Sequence, residues 1–261
     1  MKALSFLICT ALLLGCTKKS EKILPPVNIV DGKPDFIPVD IAAIPDVVPQ
    51  FEPYLSAEDY IIFGKTYQVL KDNTGFKQQG IASWYGTKFQ KKTTATGDVY
   101  DMFKLTAAHK TLPIPSYARV TNLENQRSII VRINDRGPFH DHRVIDLSYA
   151  AAVKLGIDKL GTGFVDIAAV QVGEVSSSAG IVVAKKVYYQ IGAFSTEENA
   201  LLLQAQIKAE QLLKSRISAV KTAAGTFYKL QLGPISSVSE ADHIALVLEK
   251  LGLVGGYYLS E

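Results

Sequence analysis

The chain has 261 residues, with 28 Lys and Arg against 25 Asp and Glu, and a net charge of +3. That balance excludes the basic footprint of a nucleic-acid binder, so no nucleic-acid partner is expected. The length suits two modest domains rather than one large one.

The chain begins MKALSFLICTALLLGC, with Lys2 ahead of an apolar run from Ala3 to Leu14. A membrane-spanning helix takes about 20 apolar residues, so this shorter run reads as a secretory signal over residues 1–15. Leu13-Leu14-Gly15-Cys16 resembles the bacterial lipobox, which implies acylation of Cys16 and a partnership with membrane lipid; an ordinary cleaved leader or a buried amino-terminal helix is the alternative. On the lipobox reading Cys9 departs and Cys16 carries lipid, leaving no thiol for a disulfide, a Cys-type zinc site or a nucleophile. Loss of Lys2 with the leader lowers the charge from +3 to +2. Thr17 stands where an Asp commonly retains lipoproteins at the inner membrane, which favours the outer membrane, facing the periplasm.

Seven of the 11 prolines lie between Pro25 and Pro53, in a stretch without helical or strand period. Residues 16–74 therefore read as a tether. About 40 residues of mainly extended chain reach on the order of 100 Å at ~3.1 Å per residue.

Over residues 75–173 the pattern becomes one of short strands. GIASWYG and YARVTNL are apolar runs bounded by turns, while RSIIVRIND alternates Ile129, Val131 and Ile133 with Ile130, Arg132 and Asn134. Leu123 to Gln126 reads as a hairpin turn between two of them. SYAAAVKLG is a short helix, capped by Ser148 and closed by Gly156. Many short strands around one helix predict a small, mostly β barrel. Residues 174–184, with Ser176 to Ser178, read as a linker.

From 185 to 261 the elements change again. KKVYYQIGAF, RISAVKTA, TFYKLQLGP and GGYYLS read as strands, TEENALLLQAQIKAEQLL and SVSEADHIALVLEKLG as amphipathic helices. The order βαββαβ predicts a ferredoxin-like α+β domain. Alternation puts Tyr188, Gln190, Lys229 and Gln231 on the sheet face opposite the helices.

The polar residues that stand out are Asp98 and Asp101 in TATGDVYD, His109, Asp135 and Arg136 in INDRGPF, and Asp146 in VIDLS. HExxH, GxSxG, P-loop and GxGxxG motifs are all missing, which removes metalloprotease, hydrolase-elbow and nucleotide readings. His140-Asp141-His142 puts two imidazoles on one side of an extended segment without a third spaced ligand, so no metal and no cofactor is expected. Taken alone, Asp98 and Asp101 also fit a turn beside Gly97.

GIASWYGTKFQKKTTATGDVYD, LTAAHKTLPIPSYARVTNLEN, VRINDRGPF and RVIDLSYAAAVKLG resemble the double-psi β-barrel of the rare lipoprotein A family, septal lytic transglycosylases of bacteria. The carboxyl-terminal region resembles the SPOR domain of many members. The resemblance implies a six-stranded double-psi β-barrel followed by the ferredoxin-like SPOR domain. It implies a peptidoglycan substrate stripped of peptides, cleavage of the MurNAc–GlcNAc β-1,4 bond to a 1,6-anhydro end, and septal division proteins as partners. Retention of the groove without turnover, in a wall-binding protein, is the alternative. Carried over by motif, Asp98 is the general acid and base, with its pKa raised, supported by His109 hydrogen-bonded to Asp135. Arg132 and Asn134 are expected to line the groove. Trp84 and Tyr85 are expected to face a sugar, or else to fill the barrel core, and Tyr188, Gln190, Lys229 and Gln231 to form an open glycan platform or a solvated sheet face. Family members usually carry Glu where this chain has Asp98, about 1.5 Å shorter in reach; the similar barrel of the membrane-bound transglycosylase A family uses Asp.

Overall fold

The structure is a computed structural model that describes residues 31–56, 58–140, 142–173, 185–209 and 214–261. The leader, Cys16 and the 174–184 linker lie outside the described residues. In chain order the elements are a 3-10 turn at Ile41–Ala43, β1 (Tyr60–Ile62), β2 (Lys65–Tyr67), β3 (Lys77–Tyr85), β4 (Thr106–His109), β5 (Ser116–Asn122), β6 (Ser128–Asp135), β7 (Arg143–Ser148), α1 (Tyr149–Leu155) and β8 (Thr162–Ala169). They continue as β9 (Val187–Phe194), α2 (Glu197–Ala209), β10 (Ser215–Thr222), β11 (Gly225–Ile235), α3 (Val238–Lys250) and β12 (Tyr257–Ser260).

Six strands close into a barrel in the order β3-β7-β4-β6-β5-β8. The β3–β7 and β4–β6 pairs are parallel and the other pairs antiparallel. Its core is made by Ala82, Ala107, Val120, Val131, Ile133, Ile145, Leu147, Val165 and Ile167, all excluded from solvent. Fully burying each Val, Ile or Leu contributes about 1.5–3 kcal/mol, and the described residues contain no cysteine. α1 covers one end of the core with Ala150, Ala151, Ala152 and Leu155. Its ends follow the sequence: the Ser148 hydroxyl accepts from Ala151 N, and Gly156 takes φ +78°, a left-handed conformation that glycine adopts without Cβ strain.

The stretch read as a tether is different from residue 31 onward. Asp31 Oδ1 accepts from Gly86 N at 3.0 Å and Lys88 N at 3.2 Å, and Gly32 O accepts from Thr87 N. Ile41 enters the barrel core, and Lys154 Nζ donates to Ile44 O. Leu55 N and Ser56 N both reach Ile114 O, after which β1 and β2 form a small hairpin. Prolines keep this belt out of regular structure, and side chains and backbone groups of the barrel satisfy it instead.

The second domain has the order βαββαβ and a four-stranded antiparallel sheet, β10-β11-β9-β12. Val187, Tyr189, Leu230 and Leu232 pack against Ile207, Ile244 and Leu248 of the two helices. Ile81, Leu123 and Phe164 of the barrel join the same apolar cluster, and Tyr258 packs edge-on to Phe164.

Candidate active site and glycan face

The site is built where β6 ends. Ile133 points into the barrel, so its neighbours Arg132 and Asn134 project outward. Against them lies the turn TATGD. Gly97 takes φ +87°, which lets Gly97 N bond Thr94 O and Thr94 N bond Asp98 O. Thr96 N then donates to Asn134 O, and Ala95 N to Asp135 Oδ1. Asp98, Arg132, Asn134 and Asp135 are thus brought together.

Asp98 Oδ2 accepts three bonds, from Arg132 NH1 at 2.6 Å, Thr96 Oγ1 at 2.8 Å and Asn134 Nδ2 at 3.3 Å. Arg132, then Thr96, hold its carboxyl below the usual aspartate range, although the side chain is 45% exposed. The raised pKa expected of Asp98 is therefore found elsewhere: hydrogen bonds to the charged form win over modest desolvation. Asp135 shows the opposite balance. Burial pushes its carboxyl up, against the lowering effect of Ala95 N and Arg136 N, both bonded to Oδ1.

His109 does not bond Asp135. Its Nδ1 accepts from Thr111 N at 3.2 Å and Leu112 N at 3.0 Å, so Nε2 carries the proton and donates to Gln78 Oε1 at 3.0 Å. Full burial, with Lys110 and Arg136 nearby, drives its pKa down to about 3. The connection to Asp135 runs through Arg136, whose NH1 donates to His109 O and whose backbone N–H donates to Asp135. A cleft of about 560 Å³ has His109, Gln78 and Arg143 on one wall and Leu248 and Tyr257 on the other, and neither Asp98 nor Asp135 lines it.

Asp146 is the second carboxyl that burial pushes up. Ser83 Oγ donates to its Oδ1. Register places Ser83, Asp146, Ala108 and Asp135 in one row across β3, β7, β4 and β6. The backbones of Asp146 and Asp135 are thus two strand spacings, about 10 Å, apart.

Trp84, half-buried, and Tyr85, buried, both pack on aromatic neighbours of the barrel. Trp84 packs on Tyr149 with ring centroids 5.3 Å apart, and Tyr85, 7% exposed, stacks on Tyr100 at 4.3 Å. Both side chains belong to the barrel core or its edge, the other reading their sequence allowed. Three groups at the site carried no sequence signal: Glu52 from the belt, which binds Arg132; Tyr117, which donates to Glu52; and Gln78, the partner of His109. Among the described residues no group of three or more His, Cys, Asp or Glu converges as metal ligands would.

On the second domain the face opposite the helices carries one row, Arg216, Gln231, Gln190 and Tyr257. The platform expected to be open is largely covered: Tyr188, Gln190 and Gln231 are buried, and Lys229 is half-buried. The cover includes Arg216, whose guanidinium lies 3.7 Å from the Tyr188 ring centroid and whose Nε donates to Gln231 Oε1 at 2.8 Å. Glu261 pairs with the same guanidinium. Gln190 Oε1 is buried on this face without a hydrogen-bond partner.

Comparison with known proteins follows this division. Residues 77–168 match the family model described as lytic transglycolase, and residues 183–259 match that of the SPOR domain. The chain is similar to an endolytic peptidoglycan transglycosylase RlpA of Vibrio cholerae, 46% identical over 64% of this chain and 63% of that one. A Pseudomonas aeruginosa protein of the same name is 35% identical over 80% of this chain and 78% of its own. One from Neisseria meningitidis is 43% identical over 70% and 75%.

Proposed function

Because this chain belongs to the RlpA family of endolytic peptidoglycan transglycosylases, we propose that its barrel is a lyase that cuts glycan strands within their length. The bond is the MurNAc–GlcNAc β-1,4 linkage and the product carries a 1,6-anhydroMurNAc end. The observation that carries the mechanism is the split between two neighbouring carboxyls, Asp98 held ionised by Arg132 and Asp135 pushed toward its protonated form by burial. Environments that push two pKa values apart assign a base and an acid.

Asp135 gives its proton to the glycosidic oxygen as the C1–O bond breaks. The 6-hydroxyl of the same MurNAc closes on C1 and passes its proton to the Asp98 carboxylate. One C–O bond forms, one breaks, no water is consumed, and proton exchange resets both carboxyls. Until it takes that proton, the anionic Asp98 also stabilises the positive charge that builds at C1. A bound sugar buries Asp135 further, which favours its acid form. His109 stays neutral and fixes Asp135 indirectly, through Arg136.

The SPOR domain supplies strand binding. Arg216, which lies over Tyr188 and Gln231 and keeps part of its side chain exposed, is the polar group of its sheet face suited to sugar hydroxyls. We assign it peptide-free strands at the division septum, and assign Cys16 lipid anchorage in the outer membrane. The ion pair that ties Asp98 to Arg132 also suits a wall-binding protein without turnover. Incubating lipid-free protein with amidase-stripped glycan separates the two: new 1,6-anhydro ends seen by mass spectrometry support the lyase, and binding without them overturns it. Arg216→Ala is expected to weaken strand binding while leaving the barrel folded.

A further inference from the structure

We propose that Glu52, on the belt outside the barrel, is a positioning residue that holds Arg132 edge-on, so that only one N–H of the guanidinium reaches Asp98. It lies before the residues matched by either family model. The inference rests on Asp98 being the anionic partner of the reaction, and concerns what sets its strength.

Arg132 has two usable edges. Glu52 occupies one of them with two bonds, Nε to Oε1 at 2.8 Å and NH2 to Oε2 at 2.6 Å. Tyr117 Oη, donating to the same Oε1, fixes the carboxylate that makes them. From the other edge only NH1 meets Asp98, bonded to Oδ2 at 2.6 Å, and in the orientation Glu52 sets the second NH2 hydrogen of that edge makes no bond to it. Without Glu52 the planar fork is free to turn and take Asp98 with two parallel bonds, the geometry guanidinium and carboxylate prefer. The second effect is charge. Facing Asp98 are Arg132 from β6 as the charged neighbour, with Asn134 from β6 and Thr96 from its own turn as neutral donors; Glu52 sits behind Arg132 and shares its positive charge. Removing that share leaves a full cation on Asp98, and a carboxylate so neutralised is a weaker base for a sugar hydroxyl.

The belt does not depend on this contact alone, since Asp31, Ile41, Ile44, Leu55 and Ser56 pin it elsewhere. Glu52→Gln is therefore expected to fold. In the lipid-free full chain it should lower kcat on stripped glycan about tenfold with KM unchanged, corresponding to about one pH unit in Asp98 basicity. Glu52→Asp should recover part of that loss. Titrating the Asp98 carboxyl carbon by NMR reads the same effect without turnover: its midpoint should move to lower pH in Glu52→Gln, and the Arg132 Nε–H resonance should shift. An unchanged Asp98 midpoint and unchanged kcat, with only the melting temperature lowered, would make Glu52 a staple for the belt and overturn the proposal. A wild-type chain that makes no anhydro ends refutes the lyase, while the titration still decides Glu52.

Discussion

His109 provides the sharpest quantitative prediction because it is buried, neutral and bonded on both ring nitrogens. Its pKa falls from 6.5 to about 3 on folding. A group whose folded pKa is depressed contributes stability that is present above the unfolded value and lost as pH falls toward the folded one. The window is therefore pH 6.5 down to about 3, with a slope of about 1.4 kcal/mol per pH unit and about 5 kcal/mol in all. At pH 4.5 the loss relative to pH 7.5 is already about 3 kcal/mol, a large part of the ordinary stability of a domain. His109→Gln removes the titration and keeps one acceptor and one donor. It should be less stable at pH 7.5 by about 1–3 kcal/mol, because two backbone N–H groups lose a well-aimed acceptor. Its stability should fall less steeply with acid, and groups titrating elsewhere cancel in the difference. Trp84, the single tryptophan of the chain, sits in β3 and reports barrel unfolding in urea by its fluorescence. Equal losses in the two proteins between pH 7.5 and 4.5 would refute a neutral, buried His109.

Asp135→Asn should lower turnover by about 100-fold or more, the usual size of a lost general acid. In the wild type the rate should fall as pH rises through the raised pKa of Asp135, and the residual rate of the variant should lack that alkaline limb; a limb that persists assigns the proton to another group. Asp146→Asn should stabilise the barrel at pH 7.5, with the gain shrinking toward pH 4. A folded pKa raised by burial makes the aspartate costly once it ionises, while Ser83 keeps an acceptor in the asparagine. Melting temperatures across that range test it, and no gain at pH 7.5 would count against a buried, raised carboxyl.

What the sequence revealed of this molecule was whatever local chemistry decides. Ser148 and Gly156 fix the ends of α1, alternation in RSIIVRIND separates Ile133 from Arg132 and Asn134, and the 2.0 and 3.6 periods of the last 75 or so residues yield βαββαβ. The motif TATGD could be tied to INDRG only through resemblance, yet the two do meet, since Ala95 and Thr96 bond Asp135 and Asn134. What stayed hidden depends on contacts between residues far apart in the chain. Nothing near Glu52 announces that Arg132 will meet it, and a proline-rich composition describes a belt and a loose tether equally well. Tyr188 looked open because alternation assigns a face without saying that Arg216 lies over it. The pKa order of Asp98 and Asp135 was hidden for the same reason: burial and donors belong to the assembled site.

The belt also fixes a length scale. If Cys16 is held in lipid, the leash runs only from there to Asp31, whose carboxylate is already clasped by the barrel. Those 15 residues, even drawn straight, extend about 50 Å. That is half the radius a free proline-rich segment would allow, and with such an anchor cutting would be confined to the layer of wall nearest the membrane.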